Sequence, residues 1–212
     1  MTKNGYGKLA EAAYQTVLAK ILAHELSGGS VIQERKLAEA MGISRTPMRD
    51  ALGRLEGEGL LVRLTDRLLA VRVITLQDYL HSLDVRMMIE PQAAALAARS
   101  LSPSDISALR DELALLAAHE GEDLEDCHWH FDDRLHELIG ERSGNPFLDK
   151  LIRELRRYTK IFERQTVPAR RKPGIADHQH ILDALATGRA EKARDAMSEH
   201  IRNVRKRALD SL

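Results

Sequence analysis

Residues 34–61 read ERKLAEAMGISRTPMRDALGRLEGEGLL and set the architecture of the N-terminal part of the chain. Apolar residues at helical spacing predict a short helix over Glu34–Met41, and Gly42 interrupts the pattern. Ser44 belongs to the residue types favoured at the N-cap, so a second helix is predicted over Arg45–Glu58. Two helices joined by so short a turn are typical of a helix-turn-helix.

The flanking residues extend this motif to a small domain. An apolar periodicity predicts a helix over Lys8–Leu26 before it. After it, Leu60–Leu64 and Leu68–Val73 are short apolar runs separated by a polar turn, which predicts a hairpin. This element order is that of a winged helix-turn-helix, and we place the domain boundary at Thr75.

Residues 76–212 show helical periodicity and no strand pattern. Capping residues, prolines and glycines divide them into six predicted helices. Their ranges are about 75–99, between 102 and 121, 122–141, 147–165, 175–186 and 190–209. The sequence therefore predicts a mainly α protein, with a winged helix-turn-helix over 1–75 and an all-α, six-helix domain over 76–212.

The composition is that of a globular, helical protein. Hydrophobic residues make up 43% of the chain and aromatic residues only 4%, a balance that favours helices over strands. The single cysteine, Cys127, excludes an intramolecular disulfide and is consistent with a reducing cytoplasm. No stretch approaches the ~18 consecutive apolar residues of a membrane helix, so no membrane attachment is expected.

Charge is distributed unevenly between the two parts. The net charge is zero, but residues 1–75 carry 11 Lys and Arg against 8 Asp and Glu, whereas the remainder carries 21 against 24. A mildly basic first domain is compatible with nucleic-acid binding.

The start of the second helix has the chemistry for reading DNA bases. Arg45 can form two hydrogen bonds to guanine O6 and N7, and Thr46 and Arg49 can reach phosphates or base edges. Arg35, at the start of the preceding helix, can contact the backbone or a base. The alternative is a solvated basic helix face.

Histidines and a carboxylate in the second domain form a candidate metal site. Asp132 and His136 are four residues apart on a predicted helix and share a face, and His178 and His200 lie on the last two helices. Three imidazoles and one carboxylate would suit a divalent transition metal. His128 lies four residues before Asp132 on the same predicted helix face, and its role stays open. His130 and His180 should point away from the site. The alternative is a set of ordinary surface or core histidines.

The first domain resembles the GntR family. The resemblance is carried by Glu34-Arg35-Lys36-Leu37-Ala38-Glu39, by Gly42-Ile43-Ser44-Arg45-Thr46-Pro47-Met48-Arg49-Asp50-Ala51-Leu52 and by Leu55-Glu56-Gly57-Glu58-Gly59-Leu60-Leu61. It implies operator DNA contacts. The predicted contact residues are Arg35, Ser44, Arg45, Thr46, Arg49 and Arg67. The sequence departs from the family pattern at Gly28-Gly29, where Pro-Gly is usual, and at Leu68, where a glycine follows the wing arginine.

The second domain resembles the FCD domain of the FadR subfamily, in its shorter, VanR-like branch. The matching pieces are Val85-Arg86 with Glu90, Asp132-Asp133-Arg134-Leu135-His136, Ser143-Gly144-Asn145-Pro146, Asp177-His178-Gln179-His180-Ile181-Leu182, and Ala193 with His200-Ile201. In metal-binding members the ligands fall on Asp132, His136, His178 and His200. Zinc is the default metal, with nickel or manganese as alternatives. Arg86 is the predicted effector-binding residue, and an Arg86–Glu90 ion pair at helical spacing is its alternative.

Together these patterns predict a ligand-responsive transcriptional regulator, with repression as the working hypothesis. We expect a homodimer on an inverted-repeat operator, with a small organic acid as effector. Two rival hypotheses remain at this stage. One is a metal-dependent enzyme acting on a small acid, and the other is a DNA-binding protein whose helical domain only dimerises.

Overall fold

The computed structural model describes residues 3–118, 125–166 and 174–210. It divides into two compact units, Met1–Thr75 and Leu76–Leu212. The predicted break at Gly121, the start of the helix predicted from Glu122, and most of the Pro- and Arg-rich stretch before Gly174 lie outside the described residues.

The first unit has the element order of a winged helix. Its elements are α1 (Lys3–Leu22), α2 (Glu34–Ala40), α3 (Arg45–Gly57), β1 (Leu61–Thr65) and β2 (Leu68–Val71). The strands are antiparallel, with Leu61 opposite Val71 and Val62 opposite Ala70. A single bridge from Val31 to Ala70 adds a third partner that the sequence did not predict.

The core of this unit lies between α1 and α3. Tyr14 and Val17 of α1 and Met48, Leu52 and Leu55 of α3 are each at most 2% exposed. Burying each of these larger side chains stabilises the unit by about 1.5–3 kcal/mol relative to leaving it in water. This packing against α1 fixes the position of α3, whose opposite side is exposed to solvent.

Two glycines end the short helices. Gly42 follows α2 and Gly59 follows α3, each with a positive φ (63° and 75°) that other residues adopt only at a cost. After each glycine the next N–H returns to the helix, from Ile43 to Ala38 O and from Leu60 to Leu55 O. This geometry makes the turn between α2 and α3 tight.

Helix α3 begins at Arg45 as predicted, but without the expected side-chain cap, and α1 ends earlier than predicted. Ser44 occupies the N-cap of α3, but its side chain makes no capping hydrogen bond. An N-cap oxygen accepts from the second or third helical N–H, and the third residue is Pro47, which has none. The helix predicted to run to Leu26 ends at Leu22, because His24 takes a φ of 64° and leaves the helical conformation.

Within the described residues, the regular secondary structure of the second unit consists of α-helices. Its helices are α4 (Leu76–Ala97), α5 (Pro103–Ala118), α6 (Glu125–Arg142), α7 (Pro146–Thr166), α8 (Ile175–Ala186) and α9 (Ala190–Asp210). Helix α4 packs against α6, α7 and α9, and α8 packs against α5 and α9. These six helices confirm the predicted all-α domain.

Two predicted helix starts have the expected caps. Ser102 Oγ accepts from Asp105 N at 3.1 Å, and Asp105 Oδ2 accepts from Ser102 N at 3.0 Å. Asn145 Oδ1 accepts from Phe147 N at 3.0 Å at the start of α7. Within the described residues, none of the helices combines the length and hydropathy needed to cross a bilayer.

Candidate nucleic-acid interface and metal centre

The N-terminal end of α3 presents polar side chains while its opposite edge is buried in the core. The exposed residues at this end are Ser44, Arg45, Thr46 and Arg49. A helix-turn-helix inserts this end of its second helix into the major groove. The structure therefore leaves the predicted DNA-reading side chains of α3 accessible.

The other two predicted contacts lie outside α3. Arg35 is exposed at the start of α2, with its Nε 3.4 Å from Glu39 Oε1. Arg67 is exposed in the hairpin turn, directly before Leu68. A cleft of about 530 Å³ lies between α3 and the hairpin. Its charged lining residues are Arg45, Arg49, Arg63 and Arg67, against Glu34 and Asp66.

Glu34 is a contact that sequence reasoning missed. Its Oε1 accepts from Arg45 Nε at 2.7 Å and from Arg49 Nε at 3.0 Å. Partial burial acts to raise the pKa of Glu34, but the two arginines outweigh it and lower that pKa. The pairs span 11 and 15 residues and depend on how α2 meets α3, so no helical spacing could reveal them.

In the second unit, the four predicted metal ligands come together. Asp132 and His136 on α6, His178 on α8 and His200 on α9 each offer one donor atom, and these atoms lie within 4.8 Å of one another. All four residues are buried. The ring centroid of His200 is 5.1 Å from that of His136 and 5.1 Å from that of His178.

Within the part of the chain that the structure describes, three imidazole nitrogens of this cluster have no hydrogen-bond partner. They are His136 Nε2, His178 Nε2 and His200 Nδ1. His178 Nε2 lies 3.0 Å from Asp132 Oδ1, an ion-pair distance, without the geometry of a hydrogen bond. Buried polar atoms without partners are rare in folded proteins, and each calls for an explanation such as an ion.

The electrostatics of the cluster suit metal coordination. Burial, with neighbouring cations, lowers the pKa of His136 and holds the pKa of His200 well below its ordinary value. Burial acts to raise the pKa of Asp132, but Arg156 and His178 outweigh it and bring that pKa well below its usual range. Neutral imidazoles and an ionised carboxylate are the forms that bind divalent transition metals, so the residues present fit such an ion.

A buried chain of polar contacts orients His136. Its Nδ1 lies 2.6 Å from Glu90 Oε2, so the Nδ1–H donates to the carboxylate and the Nε2 lone pair faces the cluster. Glu90 is held in turn by Arg86 Nε at 2.5 Å, and Arg86 Nη1 donates to Thr159 Oγ1 at 2.9 Å. The carboxylate, the histidine and the open nitrogen form the arrangement that supports histidine ligands in metalloproteins.

Arg86 thus forms the ion pair with Glu90 that the sequence suggested as the alternative to effector binding. Arg86 and Glu90 are each at most 1% exposed. Burial acts to raise the pKa of Glu90, but Arg86 and His136 outweigh it and lower that pKa far below its ordinary value. The effector contact of Arg86 stays a prediction.

Helix α7 supplies two cations that sequence reasoning missed. Arg156 Nη2 lies 2.5 Å from Asp132 Oδ2 and 2.9 Å from Asp133 Oδ1. Lys160 Nζ lies 2.5 Å from Asp133 Oδ2. The available signal was that Arg156 and Lys160 are four residues apart and share a helix face. Asp132 thus has one oxygen anchored by Arg156 and the other directed at His178.

The remaining histidines near the cluster lie apart from its donor set. His130 and His180 are exposed, and His180 Nε2 is 3.7 Å from Glu199 Oε2, as expected for residues that point elsewhere. His128 is buried on α6, one turn before Asp132, and is not among the four clustered residues.

Both units match known protein families. Residues 9–67 match the family of bacterial regulatory proteins called gntR, and residues 81–203 match the FCD domain. The regulator McbR of Escherichia coli K12 is 30% identical over 158 residues, which cover 71% of each chain. The Nta operon transcriptional regulator of Aminobacter aminovorans is 27% identical over 85% of each chain.

A solved structure shares the fold of the chain. E. coli McbR/YncC matches with a TM-score of 0.76 at 20% identity, over 94% of this chain and 98% of its own. The matched families and relatives are transcriptional regulators rather than enzymes, so the enzyme alternative is wrong. The chain belongs to the gntR family of bacterial regulatory proteins and is a transcriptional regulator with an FCD domain.

Proposed function

We propose that this regulator is a homodimeric repressor that binds an inverted-repeat operator and releases it when its FCD domain binds a small organic acid beside a divalent metal ion. The observation that carries the proposal is the convergence of Asp132, His136, His178 and His200, in which three imidazole nitrogens have no hydrogen-bond partner among the described residues. The exposed arginines of α3 support the part of the proposal that concerns DNA binding.

The four clustered residues would hold the metal, for which zinc is the default and nickel or manganese are alternatives. When bound, such an ion supplies Lewis-acidic positive charge with positions left open for oxygen ligands. Glu90 fixes the tautomer of His136, and Arg156 fixes the orientation of Asp132. The protein thereby presents its donors with little rearrangement.

Charge balance favours an anionic effector. Among the described residues, three pairs of opposite charge lie at or beside the cluster: Arg86 with Glu90, Arg156 with Asp132, and Lys160 with Asp133. Because these pairs balance, binding of a divalent cation would leave uncompensated positive charge inside the helices. Buried charge without a partner is costly, so a carboxylate ligand would stabilise the loaded site.

Metal content tests the second unit. We expect purified protein to hold about one metal ion per chain by elemental analysis, and His178→Ala to lose most of it. His180→Ala is the matched control, because His180 lies two residues away and is exposed. Equal metal content in all three proteins would contradict the assignment of His178.

The effector is sought with metal-loaded protein and a panel of small mono-, di- and tricarboxylic acids. Trp129 is the single tryptophan, lies buried three residues before Asp132, and reports binding by its fluorescence. A binding acid should also raise the melting temperature. If none of the acids changes either signal, the helical domain is a dimerisation module and the effector proposal fails.

DNA binding tests the first unit. A duplex selected from a random library by the full-length chain serves as operator, and a scrambled duplex of equal composition measures non-specific binding. Arg45→Ala should lower operator affinity towards that of the scrambled duplex. Arg110 is an exposed arginine of the second unit, so Arg110→Ala should change neither the affinity for the operator nor the affinity for the scrambled duplex. If Arg45→Ala distinguished the operator from the scrambled duplex as well as the wild type does, Arg45 would not be a base-reading residue.

A further inference from the structure

Glu34 places a carboxylate beside the two arginines of the reading helix. Its Oε1 accepts from Arg45 Nε at 2.7 Å, and its two oxygens lie 3.0 and 3.1 Å from Arg49 Nε. The Glu34 side chain is 25% exposed, whereas those of Arg45 and Arg49 are 58% and 60% exposed. The carboxylate is therefore less accessible to solvent than the two arginines that it binds.

Both arginines use the same nitrogen for this contact. Among the described residues, the hydrogen bonds of Arg45 and Arg49 are made through Nε, and their Nη groups make none. A guanidinium held at Nε still presents two parallel Nη–H groups. Two parallel donors are what the O6 and N7 acceptors of guanine require.

Holding an arginine in advance has a physical advantage. A free arginine samples many side-chain rotamers, and it loses this freedom when it forms a two-bond contact with a base. Two arginines that share one carboxylate have lost part of that freedom before DNA arrives. The same carboxylate opposes binding to phosphates, because it reduces the positive charge of the surface.

We propose that Glu34 is a specificity-determining residue, which holds Arg45 and Arg49 with their Nη groups outward for guanine and weakens non-specific phosphate binding. The inference rests on the proposed function of α3 as the DNA-reading helix. It assigns a role to an acidic residue on a surface whose other predicted contacts are Arg, Ser and Thr. In this role Glu34 is a positioning residue and does not itself touch a base.

The test compares Glu34→Gln with Glu11→Gln in the full-length chain. Glu11 is the matched control because it also pairs with an arginine of α3, Arg54, at 2.9 Å. In both variants glutamine removes the negative charge and keeps the shape of the side chain. The probes are the selected operator duplex and its scrambled counterpart, each measured over a series of salt concentrations.

We expect Glu34→Gln to bind the scrambled duplex more tightly and to lower the ratio of operator to scrambled affinity by at least about fivefold, the smaller end of what one base-reading arginine contributes. Glu11→Gln should keep the wild-type ratio. Glu34→Asp, which retains the charge on a shorter side chain, should recover part of the ratio. Circular dichroism establishes that each variant is folded.

The outcomes separate this inference from the proposed function. If Arg45→Ala keeps wild-type discrimination, the reading role of α3 fails, and the inference fails with it. If Arg45→Ala loses discrimination while Glu34→Gln raises both affinities by one factor or leaves both unchanged, only the inference is overturned. Equal increases would mean that Glu34 acts as a simple negative charge, and unchanged affinities would mean that it has no role in DNA binding. In both cases α3 would remain the DNA-reading helix.

Discussion

Arg86 and Glu90 are buried charges that depend on each other. Their side chains are at most 1% exposed and pair at 2.5 Å. Removing one member of such a pair leaves an uncompensated charge and typically costs about 3–5 kcal/mol, whereas removing both costs less. We expect Arg86→Met to lower the free energy of unfolding by about that amount, measured by urea denaturation of metal-free protein.

The double variant Arg86→Met/Glu90→Gln decides what this loss means. If the ion pair is the reason, the double variant should be more stable than Arg86→Met alone, and the two changes should be non-additive. Stability of Arg86→Met equal to wild type would show that Arg86 is not needed for the fold, and would favour its predicted role in effector binding.

Glu90 should also control metal affinity without touching the metal. Its carboxylate accepts from His136 Nδ1 at 2.6 Å and so keeps Nε2 as the free nitrogen. Loss of such an outer partner typically weakens metal binding by about 10- to 100-fold. We expect this loss in Glu90→Gln, measured by zinc titration at a temperature where circular dichroism shows the variant folded.

Glu112→Gln provides the control for charge alone. Glu112 pairs with Arg134 on the surface of the same unit, so its neutralisation should leave zinc affinity unchanged. Equal zinc affinity of Glu90→Gln and wild type would mean that His136 keeps its tautomer without Glu90.

Residue identities were predictable where local spacing or the family pattern determined them. The interval of four between Asp132 and His136 predicts a shared helix face. His178 and His200 were candidates by residue type and by their place on the last two helices, and the family resemblance supported the same four ligands. Glu90 and Arg156 were not assigned to the site, because their partners lie 46 and 24 residues away and meet only when helices pack. Their charges look like ordinary helix-surface charges until burial is known.

At the scale of helices and strands, residue types near the ends predicted the boundaries where the cap is local. Ser102 and Asp105 form a reciprocal cap, and Asn145 caps α7. Ser44 does not cap with its side chain, because Pro47 removes one of the two N–H groups that it would bind. The end of α1 at Leu22 depends on the positive φ of His24, which its residue type does not announce.

The crossing of α6 and α7 depends on Gly140. A Cβ added to Gly140 would lie 3.1 Å from Asp149 Cα, closer than backbone and side chain normally approach. Overpacking costs about 1–3 kcal/mol, more than the roughly 1 kcal/mol that alanine gains in a helix. We expect Gly140→Ala to lower the stability of the second unit, measured by calorimetry.

Because α6 carries Asp132 and His136 while α7 carries Arg156, the same change should also weaken zinc binding. Gly53→Ala is the control, since a Cβ at this glycine of α3 meets nothing within 4 Å. That variant should be slightly stabilised, by about 0.5–1 kcal/mol. Equal stability of the two variants would show that the helices do not need a glycine at their crossing.

At the scale of the whole molecule, the sequence predicts the order of the two domains because each has its own local pattern. Short periodic segments with a hairpin characterise residues 1–75, and six longer apolar periodicities characterise the rest. Net charge did not help, since the opposite balances of the two parts cancel. The metal cluster depends on three helices meeting, which spacing along the chain cannot establish. The residue types suggested the four ligands, and the family resemblance supported them.

The final prediction concerns coupling between the two domains. If acid binding favours an arrangement of the dimer that fits the operator poorly, the acid lowers operator affinity by some factor. Thermodynamic linkage then requires the operator to lower acid affinity by the same factor, typically about 5- to 150-fold. We expect the two factors, one from fluorescence anisotropy of labelled operator and one from calorimetric titration of the acid, to agree.

Two variants locate the origin of this coupling. His178→Ala should bind operator like the wild type and show no response to the acid, because the metal that would contact the carboxylate is lost. Arg45→Ala should bind the acid with full affinity, and that affinity should no longer fall when operator is added. If the acid binds wild-type protein tightly but leaves operator affinity unchanged, both states of the dimer bind the acid equally, and the release mechanism is wrong.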